Sequence, residues 1–305
     1  MKTFEIINMK PMLVAIGILA GITSVSGQER ITKTYEGVDE IEISVSSGSA
    51  IFKKSSTNKI TIELEHTFDI EYNPTFRKDG SKLDINDKNI VRNRNYSGSS
   101  TWTFTIPDNL EVEFETGSGD AEIADLTIEF DMSSGSGDFD ISNSDGEIEI
   151  STGSGDIEAS NVKGDLEFST GSGDIDLDKV VAAIDASTGS GNVDGTDIEL
   201  SDRSSFSSGS GDVEVALAKS ANFDISVSSG SGDAALNFGG NKIDGVLVME
   251  INKDRGRIRT PFDFDTEEEI DQGRNNIKVR KTKKFGSKDI QIRISSGSGT
   301  AEITQ

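Results

Sequence analysis

The sequence predicts an all-β fold: a parallel β-solenoid, β-helix-like, of 18-residue coils. An irregular β-rich cap stands before the regular coils, and a charged insertion followed by a final coil stands after them. Three observations predict it. Gly-Ser-Gly recurs with its first glycine at Gly117, Gly135, Gly153, Gly171, Gly189, Gly209 and Gly230, so the first four gaps are identical and the last two are slightly longer. Each unit divides into two nonapeptides in which acids and apolar residues alternate, the period of a strand. A strand of about four residues cannot bury a core alone, and stacking coil on coil supplies one.

The alternation assigns faces. Phe139 and Ile141, Ile148 and Ile150, Leu166 and Phe168, and Ile175 and Leu177 share the inward face, and the acids between them point to solvent. The Gly-Ser-Gly-Asp element reads as the corner of a coil, with glycines admitting turn conformations closed to other residues. The connections are too short to hide a crossover helix. Degenerate copies of the corner at Gly48 and Gly297 flank the array.

These signals divide the chain into four parts: a signal peptide over residues 1–27, β-rich coils and a cap over 28–112, the regular solenoid over 113–240, and a charged insertion with a terminal coil over 241–305. The targeting segment rests on Lys2 and Lys10, an apolar stretch over residues 12–22, and a cleavage site at Val25-Ser26-Gly27. That stretch falls short of the ~20 residues that span a bilayer, so the mature chain is expected to carry no integral membrane segment. The polar, basic-rich stretch 77–100 is expected to be a loop or wide turn.

Composition narrows the function. The 305 residues include no cysteine and one histidine, His66, which excludes thiolate zinc sites, a cysteine nucleophile and a multi-histidine metal site. His66 precedes the repeats, has no repeated partner and reads as a satisfied or exposed strand histidine rather than a catalyst. The net charge is −24, and residues 113–240 alone carry 28 acids against Lys163, Lys179, Arg203 and Lys219. That acid lattice repels nucleic acid and anionic lipid, which excludes both as partners.

The phrase Thr105-Ile-Pro-Asp-Asn-Leu-Glu-Val-Glu-Phe-Glu-Thr-Gly-Ser-Gly-Asp, the Glu-Ile-Glu-Ile-Ser-Thr-Gly-Ser-Gly-Asp units, and the ending Phe285-Gly-Ser-Lys-Asp-Ile-Gln-Ile-Arg-Ile-Ser-Ser-Gly-Ser-Gly resemble the putative-adhesin family of bacterial β-strand repeat proteins, a domain of unknown function. The resemblance implies the fold and brings no catalytic residues, and export rests on the targeting segment. The expected function is therefore a non-enzymatic exported scaffold, adhesive or structural at the cell envelope. It would be secreted, periplasmic or at the cell surface, with a surface protein or glycan as partner. No cofactor is expected on this reading.

Two alternatives remain open. A calcium-binding β-roll-like repeat would use Asp138, Asp156 and Asp174, although Asp here directly follows the last glycine and one carboxylate per turn is few for an ion that takes six to eight oxygens. A carbohydrate-active β-helix enzyme has fold analogy as its only support, because acids on every coil mark periodicity rather than a site.

Overall fold

The computed structural model describes residues 21–25, 28–68, 72–87, 98–273 and 276–305. Among these residues every regular element is a strand, so no helix is long and apolar enough to cross a membrane. Most of the expected targeting segment lies outside the described residues, as do Ser26 and Gly27 of the expected cleavage site Val25-Ser26-Gly27. Residues 21–25 form a strand paired antiparallel with Gln28–Glu36.

The regular array sends each coil through two sheets. A long-strand sheet takes Thr127–Ser134, Asp145–Thr152, Lys163–Thr170 and Val181–Thr188, and a short-strand sheet takes Ala121–Ala124, Phe139–Ser142, Ile157–Ser160 and Ile175–Asp178. All of these pairings are parallel and in register. Ile148 lies beside Leu166 and Leu166 beside Ile184 in one sheet, while Phe139, Ile157 and Ile175 align in the other. The register steps by one constant repeat length until Val193, which pairs with Val213, and Val213 then pairs with Ala234. The Val193 coil keeps the constant register with the preceding coil through Leu200, beside Ala182, and its extra residues enter before Ser205, beside Asp185; a further register shift lies between Gly195 and Ile198 against the next coil.

Inward residues of the two sheets meet in one continuous core. Ile148, Ile150, Leu166, Phe168, Ile175 and Leu177 are all buried, whereas Glu147, Glu149 and Glu167 between them are exposed. Toward the N-terminal end the core becomes aromatic. Phe52 stacks on Phe104 with ring centroids 4.8 Å apart and meets Phe114 and Phe130 edge-on. Stacked parallel strands bring each side chain beside its counterpart on the next coil, so repetition of a large apolar residue at one register position is itself a packing solution.

The glycines of the Gly-Ser-Gly corner act differently from the expectation. Neither Gly153 nor Gly155 has a positive φ. A Cβ on Gly155 would instead come closer than 3.0 Å to the carbonyl oxygen of Gly137, and one on Gly173 would meet Gly155 in the same way. These glycines are required by the close approach of one coil's backbone to the next. The left-handed residues lie at the opposite turn: Asn109, Asp125, Asn143, Asn161, Lys179 and Asp197 all have φ between 50° and 62°. Asn tolerates that region better than most residues, and the Asn161 amide donates to the Asn143 side chain at 2.8 Å.

At both ends a coil is threaded between two others. Glu40–Val45 pairs with Lys82–Asn86 on one side and Glu111–Thr116 on the other, and Ser49–Lys54 lies between Ser100–Ile106 and Ala121–Ala124. At the other end, Gln291–Ser296 lies between Ile225–Ser229 and Gly245–Asn252, and Thr300–Thr304 between Ala234–Asn237 and Arg257–Arg259. The coil that comes last in sequence is thus not outermost in space. The charged insertion contributes Thr266–Asp271 and Ile277–Phe285, which pair antiparallel and extend the long-strand sheet beyond Gly245–Asn252. Part of the stretch expected to be a loop at 77–100 is also ordered: Thr75–Asp79 and Lys82–Asn86 form a hairpin that extends the sheet at the opposite end. Its Arg77 and Lys78 follow partly buried Phe76, a strand pattern masked in the sequence by local charge.

The corner glycines can be separated from ordinary turn glycines by substitution. Gly155→Ala places a methyl group against backbone that cannot move without breaking register, and is expected to cost about 3 kcal/mol or more. Gly37 has φ +62° but nothing within 4 Å of an added Cβ, so Gly37→Ala is expected to cost only about 1 kcal/mol. Chemical denaturation of the two variants measures the difference, and equal losses would contradict the close-approach account.

Candidate functional site

The outward positions of the coils build two acid-lined faces. On the short-strand sheet, Glu122, Asp140, Glu158, Asp176, Asp194 and Glu214 occupy one register position on successive coils. All but Glu214 line an open, shallow depression of about 440 Å³ with Ser160 and Thr196 at its side. On the long-strand sheet the corresponding row is Glu42, Glu113, Asp131, Glu149, Glu167 and Asp185. Beside it runs a row of hydroxyls: Ser133, Ser151, Ser169, Ser187, Ser207 and Ser228.

A second line of carboxylates follows the corner, two residues before the short-strand row. It contains the three aspartates singled out for calcium. The Asp138 carboxylate accepts the Asp156 backbone N–H at 2.9 Å, and the Asp156 carboxylate accepts that of Asp174 at 2.8 Å. The line continues when Asp174 accepts Asn192 N–H, Asn192 accepts Asp212 N–H, and Asp212 accepts Asp233 N–H. The structure brings Asp138, Asp156 and Asp174 into one line, with one oxygen of each engaged in linking coils. Among the described residues, no group of three or more His, Asp or Glu is arranged to hold a metal ion.

Hydroxyls under the corner make a parallel chain. Thr170 donates to the Gly155 carbonyl at 2.9 Å and accepts the Gly173 N–H at 3.0 Å. Thr152, Thr188, Ser208, Ser229 and Ser296 do the same on their own coils. Each hydroxyl thereby satisfies one donor of its own coil and one acceptor of the preceding coil. The hydroxyl residue, Ser or Thr, immediately before each Gly-Ser-Gly was visible in the sequence, but its bridging of successive coils was not.

Like charges and partial burial raise the affinity of these faces for protons. Asp140 beside it, then partial burial and Asp176, push the Glu158 carboxyl above its usual range. Partial burial is the main cause for Asp176 and Asp194, reinforced by neighbouring carboxylates. Glu149 is pushed up chiefly by Asp131 and Glu167, and Glu113 chiefly by burial and then Glu42. Three of the array's basic residues are paired with acids: Lys179 with Asp178, Arg203 with Asp224, and Lys219 with Glu199.

His66 is neither exposed nor hydrogen-bonded as expected. Its side chain is buried in the N-terminal cap at the end of Lys59–His66, and neither ring nitrogen has a hydrogen-bond partner among the described residues. The rings of Tyr72 and Phe68 pack on it, the Tyr72 hydroxyl donates to Asp87, and Glu29 lies at 3.7 Å. Burial holds the imidazole below its ordinary pKa, against the opposing pull of Glu29. This is the environment of a packing residue in an aromatic cap.

Residues 38–253 match the model of the Toastrack DUF4097 family. The chain belongs to that family. Among solved structures, this Toastrack chain resembles a putative adhesin from Parabacteroides merdae, with 11% identity, a TM-score of 0.51, and coverage of 91% of this chain and 96% of that one. A putative adhesin from Bacteroides fragilis is 16% identical with a TM-score of 0.41, covering 90% and 96% respectively. The Parabacteroides merdae likeness establishes a shared fold, and at such identity nothing further. No curated protein matches the Toastrack sequence at a significant level.

The raised carboxylates give stability an unusual pH dependence. A carboxyl whose folded pKa exceeds its unfolded value binds protons more tightly when folded, so stability is lost as pH rises through the folded pKa and regained on acidification. His66, with a lowered folded pKa, works in the opposite sense below about pH 6.5. Asp108 and Asp244, held low by Lys54 and Lys242 respectively, lose their contributions only as pH falls below the ordinary carboxylate range. The five raised carboxyls predict that at low salt the melting temperature rises as pH falls toward the ordinary carboxylate range near about 4, with His66 opposing the rise from about pH 6.5 downward. Replacing Glu158 and both Asp176 and Asp194 by their amides is expected to flatten the rise, and a fall in stability over that window in both proteins would contradict the stacked-acid faces.

Proposed function

We propose that this Toastrack chain is an exported, non-enzymatic scaffold of the bacterial cell envelope that presents its flat acid faces to a surface partner, in an adhesive or structural role. The observation that carries the reading is the extension of the same acid positions along successive coils. A catalyst concentrates unlike groups at one place, and here the same group is repeated along a face. A partner that meets such a face meets many weak, equivalent contacts, which suits a broad protein or glycan surface better than a small molecule in a pocket. Regular solenoid coils between interleaved end caps supply a stiff support for that presentation, and a signal peptide over residues 1–27 supplies the export.

The experiment is fractionation and protease shaving of whole cells that make the tagged protein, together with attachment of cells to protein- and glycan-coated surfaces. Processed protein accessible to protease is expected, with attachment reduced by the amide substitutions at Glu158, Asp176 and Asp194. Full-length protein retained in the cytoplasm would overturn the reading, and so would attachment indifferent to the face.

A calcium-binding reading would need the Asp138, Asp156 and Asp174 line and the neighbouring Glu158 and Asp176 row to share cations, although among the described residues no group of three or more acids is arranged to hold one. If the two lines share cations, millimolar calcium should raise the melting temperature well beyond sodium chloride of the same ionic strength, and Asp156→Asn should blunt the rise. Equal stabilisation by the two salts would assign the effect to screening alone.

A further inference from the structure

Among the described residues, the coil formed by Gln291–Ser296 and Thr300–Thr304 is the only ladder joining the C-terminal cap to the body. Gly245–Asn252 pairs with Gln291–Ser296 and with Ile277–Phe285, and Arg257–Arg259 pairs with Thr300–Thr304. The last strands of the body, Ile225–Ser229 and Ala234–Asn237, pair on that side with Gln291–Ser296 and Thr300–Thr304 rather than with the cap. If the coil at 291–304 withdrew, each sheet would gain two open edges, one on the body and one on the cap. The vacant slot would be the width of one coil.

The coil carries the repeat signature that this slot requires. Ile292, Ile294, Ala301 and Ile303 are buried in register with the body, and Gly297 and Gly299 stack on Gly230 and Gly232 as the array's own corner glycines stack. Its backbone is received by carboxylates of the preceding segments. Asp224 accepts the Gln291 N–H at 2.8 Å and Asp233 accepts the Thr300 N–H at 2.6 Å. The connection that delivers it is anchored at Asp244, which accepts both the Ser287 and the Lys288 N–H, at 2.8 and 3.0 Å, and the Lys288 ammonium also donates to the Ala221 carbonyl and the Asn222 side chain. Gly286, with φ +59°, lies so close to Asp244 that a Cβ would collide with its carboxylate.

We propose that this coil is a donor unit and that its slot accepts the same coil from a second copy of the chain, giving a strand-swapped assembly through the C-terminal cap. Every contact of the seated coil is identical whether the donor is the same molecule or another, so the equilibrium is set by concentration and by the connection at 286–290 rather than by the interface. Asp244 is the positioning residue of that connection. Opening it costs the two hydrogen bonds to the Asp244 carboxylate and those of Lys288 to Ala221 and Asn222, and it leaves the slot's edges exposed, and open strand edges are templates for another chain.

Cysteine cross-linking tests this in the full chain, which has no cysteine of its own. Ser226 and Arg293 are register partners on adjacent parallel strands and point outward. Neighbouring strands place the two positions within disulfide reach. The double variant Ser226→Cys/Arg293→Cys should link within one molecule, which verifies the seat. A mixture of the two single variants at high concentration, oxidised after incubation below the melting temperature, should give hetero-linked dimers above the statistical share set by the two homo-linked products. Adding Asp244→Ala to both should raise that yield several-fold. Linking only within the double variant, with hetero-linked dimers at or below the statistical share, would overturn the proposal, as would failure of the double variant to link at all.

Discussion

The architecture depends on how closely one coil's backbone lies on the next at the Gly-Ser-Gly corner. In-register parallel stacking sets a spacing of about 4.8 Å between equivalent residues, and at the corner the carbonyl of one second glycine occupies the space where the next would carry its Cβ. That contact permits only glycine, and it locks register. A slip by one residue would put serine where glycine is required and turn every isoleucine outward. The threonine and aspartate chains on either side then tie the same corner with hydrogen bonds between coils. Register is therefore specified three times within a few residues of each turn.

This corner also explains how so acidic a surface is compatible with folding. Equivalent carboxylates on adjacent coils repel, by ~0.9 kcal/mol per unit-charge pair at that spacing even in bulk water. The aspartates that follow the glycines offset part of this by accepting a backbone N–H from the next coil, a charge-assisted bond that neutral residues would make more weakly. The outward row of Glu158, Asp176 and Asp194 keeps its repulsion, which is the first cause of raised proton affinity at Glu158 and adds to the dominant effect of partial burial at Asp176 and Asp194. One set of acids holds the coils together while the other faces outward at some expense in stability, as expected of a surface shaped for something other than folding.

Much of this was legible because the repeat is one-dimensional. The spacing of Gly117 through Gly230 and the alternation around Ile148 and Leu166 assigned the strand character and the inward face, since period-2 patterning admits few alternatives. The role of the glycines was not legible, because sequence cannot distinguish a residue needed for its φ from one needed for its missing Cβ. The left-handed row at Asn143 and Asn161 left a signal, an Asn or Asp once per coil, hidden by Lys179 in the same position. His66 carried no periodic context at all, so its burial against Tyr72 and Phe68 could come only from the tertiary fold. The acid rows were visible as composition, and their division into linking and outward-facing lines was not.

A stack of identical coils has no intrinsic end, and each end here is built by placing a coil out of sequence order. The threaded coil 40–54 binds the N-terminal hairpins to the array as 291–304 binds the C-terminal ones. Contacts between residues far apart in sequence close both ends, so the outer strands cannot peel away one at a time as they would in a simple solenoid, where each repeat touches only its neighbours. Loss of an outer hairpin must begin at its own antiparallel edge, and there Glu267 and Glu268 of Thr266–Asp271 pair with Lys281 and Arg280 of the adjacent strand. Charged edge strands of this kind discourage the addition of foreign strands. Open-ended growth is thus opposed at the rim, while the slot that holds coil 291–304 stays selective for a coil with the spacing and glycines of the repeat itself.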